Sequence, residues 1–243
     1  MLEVPCSVLQ SRFISRVFFQ KMSNNKNVSM LKVQYNAVYY SDDLYDHFNI
    51  VMPDTIRRSK TKRKAEFLAG RLSASYHLFK RFGINESVGI HEDRSPIWPL
   101  EILGSISHTN DKAICLLSAV KDSTLLGVDI ENIMSIETVN DIKGLVVFSE
   151  EEKEFISSGF NLIELTSLLF SAKESLFKAL YPKVKSFFDF SSANAIRVNS
   201  IDKIITLELT VDLCSEYIKG DLFICHYSMN SRHVITYIYE EKL

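Results

Sequence analysis

The motif GVDIE sets two acids one residue apart, Asp129 and Glu131. In a strand, alternate side chains share a face. Leu126, Val128 and Ile130 would then point into a core, with Asp129 and Glu131 together on the other face. Neighbouring carboxylates repel unless something positive sits between them. A hard divalent cation such as magnesium takes oxygen ligands and meets that need. A solvent-facing pair of acids would leave the same pattern.

A second acid and two lysines stand in FSAKESLFKAL. Glu174 and Lys178 are four apart and share a helix face, and Lys173 adjoins Glu174. A helical ion pair at this spacing is common and worth only ~0.2–0.5 kcal/mol. Beside Asp129 and Glu131, however, a third carboxylate would complete a magnesium–phosphate site. Lys173 and Lys178 would neutralise the phosphate oxygens that the metal does not reach.

Six basic residues fall in positions 57–64 of RRSKTKRKAEFLAGR. The run leads into the N-terminus of an expected helix, where phosphate binding is favoured. Arg71 lies two turns beyond, near the face of Arg63 and Lys64. A small phosphorylated ligand fits this cluster, and so does nucleic acid. GSISHTNDKA sets His108 at a strand end beside Ser107 and Thr109. SPIWP places Trp98 between prolines in what reads as a stiff surface loop.

The elements that must position these residues follow from periodicity. Residues 66–82 carry apolar side chains at helical spacing and stop at Gly83. Residues 164–180 form the clearest helix. Alternating β-formers predict strands at 31–40, around 88–91, 104–107, 112–120 and 125–131, and four more close the chain. The polar connection at 120–124 divides it into an N-terminal half, 30–120, and a C-terminal half, 121–243. Each half holds helix then strands, an α+β plan.

Residues 1–29 read as an N-terminal extension that is disordered or poorly packed. Leu9, Phe13 and Val17, with basic neighbours, also fit a weak amphipathic helix on a membrane surface, the less favoured reading.

The 243 residues carry 28 Lys and Arg against 30 Asp and Glu, a net charge of -2. A generic nucleic-acid binder would be clearly basic. The four cysteines form no C-x-x-C pair, which argues against a zinc ribbon or a thioredoxin-like site. No apolar run is long enough for a transmembrane helix, and no secretory signal stands at the start. A cytoplasmic setting is expected.

The order of the motifs is more specific than any one of them. R-x-x-E-F-L-A-G-R, R-x-P-x-W-P, G-S-I-S-H, G-V-D-I-E, F-S-x-x-E and F-S-A-K-E-S-x-x-K follow one another across residues 57–182. This series resembles the 4′-phosphopantetheinyl transferases of the surfactin-type group, nearest the enterobactin-synthase component D type.

The resemblance implies a fold of two similar α+β halves with the active site in the cleft between them. It implies transfer of phosphopantetheine from coenzyme A to a serine of an apo acyl or peptidyl carrier protein, a holo-[acyl-carrier-protein] synthase activity. Adenosine 3′,5′-bisphosphate leaves. Siderophore or other nonribosomal peptide or polyketide assembly is the implied setting, with the enzyme a monomer, alone or in a larger synthase complex. Carried over by motif, Asp129, Glu131 and Glu174 become magnesium ligands. Lys178, with Lys173, becomes a pyrophosphate contact. Arg63, Arg71, Ser107 and His108 hold the phosphates of coenzyme A, and Arg94 stands in for a lysine that Ser95 replaces. Glu152 takes the place of a general base, with Glu150 and Glu151 close rivals. A nucleic-acid-binding module using residues 57–64 is the alternative.

Overall fold

A computed structural model describes residues 11–22 and 25–241. The chain forms two compact units, one ending at Thr124 and the other covering Leu125–Glu240.

The first unit holds strands β1 (Ile14–Lys21), β2 (Ser29–Tyr35), β3 (Gly89–Ile90), β4 (Pro96–Ile97), β5 (Ile102–His108) and β6 (Lys112–Ala119). Its helices are α1 (Asp43–His47), α2 (Asp54–Arg57) and α3 (Thr61–Phe82). The main sheet runs β1-β2-β6-β5, and each pair is antiparallel. Helix α3 buries Ala65, Leu68, Ala69 and Leu72 against Leu31, Val33 and Ala113 of the sheet. It stops where expected. Gly83 takes φ +70° and donates its N–H to the Phe79 carbonyl, a left-handed cap that glycine adopts without steric cost.

Two readings are corrected in this unit. Ile14–Lys21, expected within a disordered extension or a helix, is a strand that pairs with β2 from Ile14↔Tyr35 to Lys21↔Ser29. A spacing of four is even, so it suits a strand's period of two as well as a helix. Val17 and Phe19 pack on the core while Phe18 faces out. Leu9 lies outside the described residues. Trp98 is not a bare surface residue: it is half-buried and its ring covers Gly104, where any β-carbon would collide with it.

The second unit contains strands β7 (Ser123–Asn132), β8 (Ala193–Asn199), β9 (Ile204–Leu209), β10 (Leu222–Met229) and β11 (His233–Glu241). Helices α4 (Ile136–Val146), α5 (Ser149–Ser157) and α6 (Leu162–Val184) stand between β7 and β8. The sheet order is β7-β11-β10-β9-β8, with β8 to β11 an antiparallel meander. Helix α6 opens on a capping box. Asn161 Oδ1 accepts from the Glu164 N–H at 3.0 Å, and Glu164 Oε2 accepts from the Asn161 N–H at 3.1 Å. Its inner face packs Leu165, Leu169, Leu176 and Leu180 into the unit's core. Among the described residues no single helix is long and apolar enough to cross a membrane.

Candidate functional site

In the second unit the acids of β7 meet helix α6. Gly127 makes this possible. A β-carbon there would strike the Ser175 carbonyl oxygen and come within 2.8 Å of the Ala179 nitrogen. Without one, the helix lies directly against the strand, and the next residues on that face, Asp129 and Glu131, come beside Glu174 and Lys178. The carboxylates therefore do not project from a solvent face opposite the core. Both faces of β7 are buried here: Asp129 is 1% exposed and Ile130 0%.

Asp129 is gripped from both sides. Its Oδ1 accepts from Lys178 Nζ at 2.6 Å and its Oδ2 from Ser171 Oγ at 2.8 Å. Burial pushes Glu131 up to about 8, with Asp129 and Glu174 adding to the rise and Lys178 opposing it. Burial also raises Glu174, and Asp129 contributes. Burial alone would lower Lys178, but Asp129, Glu174 and Glu131 together hold it above the usual lysine range.

With all three carboxylates ionised against one ammonium the cluster would carry excess negative charge, which adds to burial in raising Glu131 and Glu174. A divalent cation would relieve it, and three carboxylates are the hard oxygen donors that magnesium takes. Among the described residues, no three His, Cys, Asp or Glu side chains already stand close enough together to enclose a metal ion. The donor chemistry fits magnesium, while Lys178 supplies the local positive charge on Asp129.

Lys173 is a correction. It is 3% exposed and its ammonium is bonded within the interior of the unit. Its Nζ lies 2.8 and 3.1 Å from the two oxygens of Glu151, donates to the Val146 carbonyl at 2.9 Å, and sits 4.5 Å over the Phe148 ring. Glu151 also accepts from the Phe148 and Ala195 N–H groups, at 2.8 and 2.7 Å. The pair ties α6 to the start of α5 and to β8, and it removes Glu151 from the candidate bases. Glu152 stays accessible, its Oε1 2.7 Å from Lys143 Nζ.

The first unit gathers a separate cluster. Arg63 Nη1 lies 2.6 Å from His108 Nε2. A guanidinium only donates, so Nε2 accepts and the ring proton is on Nδ1, 3.9 Å from Glu66 Oε2. Glu66 also faces Arg63 at 3.8 Å. Ser107 does not join His108. Gly70 of α3 approaches Ile106 and His108, so Ser107, next along the strand, points from the opposite face. Arg94 is exposed in a turn at φ +71°.

Arg71 is the most telling cation of this unit. It is 6% exposed, its Nε has no hydrogen-bond partner, and its guanidinium lies 4.6 Å over the Phe67 ring. Burial pulls it down to about 10, and Arg63 adds to the drop. A buried cation without a carboxylate is costly and is the group an anionic ligand would satisfy.

Sequence reasoning missed Glu66, Lys143 and the buried hydroxyls of Ser171, Ser175 and Thr236. Ser167, Ser171 and Ser175 recur one turn apart along the helix, which was the readable signal.

Residues 53–118 match the 4′-phosphopantetheinyl transferase N-terminal domain, and residues 125–238 match the 4′-phosphopantetheinyl transferase superfamily. The chain is similar to enterobactin synthase component D of Salmonella typhi, 34% identical over 162 residues, covering 66% of this chain and 67% of that one. It is 31% identical to enterobactin synthase component D of Escherichia coli (strain K12) over 181 residues, 74% and 79% of the two chains. With the 4′-phosphopantetheinyl transferase Npt of Nocardia iowensis it shares 27% over 156 residues, 64% and 68%.

Proposed function

The chain belongs to the 4′-phosphopantetheinyl transferase superfamily, and from that premise we propose that it transfers phosphopantetheine from coenzyme A to a serine of an apo carrier protein. The serine oxygen forms a bond to the phosphorus nearest the pantetheine. The bond from that phosphorus to the bridging oxygen breaks, and adenosine 3′,5′-bisphosphate leaves. The similarity to enterobactin synthase component D favours a carrier of a siderophore assembly line in the cytoplasm.

The observation that carries this reading is the cluster of buried Asp129 and half-buried Glu131 and Glu174 around Lys178, in which burial and crowding raise Glu131 and Glu174. Magnesium would be held by those three carboxylates and would stabilise charge on the departing pyrophosphate oxygens. Lys178, already held cationic, supplies a second positive charge to the same oxygens. Arg71, Arg63 and His108 bind the remaining phosphates, and exposed Arg94 can reach a phosphate from its turn, while Ser107 faces away from His108. Glu152 accepts the serine proton, and Lys143 orients it for that task.

Nucleic-acid binding through residues 57–64 is less favoured. Arg57, Lys62 and Lys64 each already face a carboxylate, and the chain's net charge is -2. Incubating apo carrier with the protein, coenzyme A and magnesium tests the reaction by intact mass. A gain of one phosphopantetheine is expected, and an unchanged carrier mass across candidate carriers would defeat the reading.

A further inference from the structure

Behind Asp129 stands a row of three hydroxyl side chains, Ser171 and Ser175 on α6 and Thr236 on β11, each 0% exposed. Ser171 Oγ reaches Asp129 Oδ2 at 2.8 Å. Thr236 Oγ1 lies 2.9 Å from Ser171 Oγ and 2.7 Å from Ser175 Oγ. An ionised carboxylate only accepts, so Ser171 is the donor to it. The Ser171 oxygen is then left to accept from Thr236, and the Thr236 oxygen to accept from Ser175. Thr236 Oγ1 also donates to the Ser171 backbone carbonyl at 2.7 Å and Ser175 Oγ to the Thr236 backbone carbonyl at 3.0 Å, so each hydroxyl's one proton is shared between the next hydroxyl oxygen and a carbonyl. Hydroxyls aligned this way polarise one another toward the acceptor. With Lys178 on the other oxygen, Asp129 is held on both sides and cannot turn about its carboxylate axis.

Resting on the transferase reading above, we propose that Thr236, Ser171 and Ser175 are positioning residues, a hydroxyl relay that fixes the Asp129 carboxylate in the orientation in which it takes the divalent cation. The relay runs from the sheet's β11 through α6 to β7, so it sets the acid relative to both elements. Groups that orient a metal ligand from behind change affinity or activity by ~10–100-fold when removed.

The test uses the full chain and Mn2+ as probe, with binding read by electron paramagnetic resonance. Thr236→Val removes the hydroxyl and keeps the shape. The Mn2+ dissociation constant is expected to rise ~10-fold, and the magnesium concentration for half-maximal turnover to rise with it. Thr236→Ser should restore both, which a loss of packing alone would not predict. Ser175→Ala, one link further from the acid, should shift Mn2+ binding in the same direction and serves if Thr236→Val does not fold. Asp129→Asn separates the two levels of the argument. If it binds Mn2+ as the wild type does, the metal reading falls and the relay with it. If it loses Mn2+ while Thr236→Val and Ser175→Ala bind like wild type, the relay alone is overturned.

Discussion

Gly127 of β7 lies so close beneath Ser175 of α6 that a methyl group at position 127 would fall on the Ser175 carbonyl oxygen. The obstacle is helix backbone, which cannot swing aside as a side chain can. Gly127→Ala must therefore lift α6 off the strand that carries Asp129 and Glu131. Overpacking of this kind costs about 1–3 kcal/mol. Urea denaturation of the variant should show at least that loss, and transferase activity should fall beyond what stability explains. Wild-type stability and activity together would mean that the contact is not needed to set the site.

Lys173 is expected to matter for folding and not for coenzyme A. Its ammonium, Glu151 and the two N–H groups that Glu151 accepts from form one buried cluster. Removing one member of a buried pair leaves an uncompensated charge and costs ~3–5 kcal/mol. Lys173→Met should be destabilised by that amount. The folded fraction should keep a wild-type KM for coenzyme A. A raised KM with intact stability would return Lys173 to the phosphate site.

Arg71 should show the opposite balance. Among the described residues it is buried without a carboxylate partner and with Nε unbonded, so the protein gains little from its charge until an anion arrives. Arg71→Met keeps much of the apolar stem against Phe67 and removes the charge. Thermal stability without ligand is expected to hold or rise. Hydrogen bonds to charged groups contribute ~1.5–3 kcal/mol, so the KM for coenzyme A should rise ~10-fold or more. A fall in stability with no change in KM would make Arg71 a core residue.

Much of this was legible in the sequence, and the failures have physical causes. Gly83 announced the end of α3 because only a left-handed cap needs glycine there. GVDIE and KESLFK each fit a bland surface pattern as well, and only their order along the chain with the other motifs made them specific. Lys173 was misplaced because adjacent helix residues point about 100° apart. Its own spacing gave the warning, four from Leu169 and three from Leu176, both on the buried face. The role of Glu151 was hidden because its helix starts at Phe148, which has no side-chain acceptor to signal a capping box. Strand β1 was hidden because an even apolar spacing does not separate strand from helix. The hydroxyl row reads in sequence only as two serines, since Thr236 joins them from a strand 65 residues away from Ser171.

His77 should make the protein's stability fall in mild acid. It is 0% exposed on α3, with Nε2 2.8 Å from Ser29 Oγ and its ring edge-on to Phe19 at 5.6 Å. Burial pulls it down to about 3 from the ordinary 6.5. Between those values the unfolded chain binds a proton at this position and the folded chain does not. Stability contributed by the neutral imidazole is therefore complete above about 6.5 and drains away as pH falls toward 3. The slope is ~1.4 kcal/mol per pH unit, which gives ~2 kcal/mol between pH 7.5 and pH 5. Other titrating groups cancel when His77→Gln is compared with wild type at each pH. The stability gap between the two proteins should narrow by ~2 kcal/mol on going from pH 7.5 to pH 5. A gap that stays constant would show that His77 is protonated alike in both states and that its burial does not govern acid sensitivity.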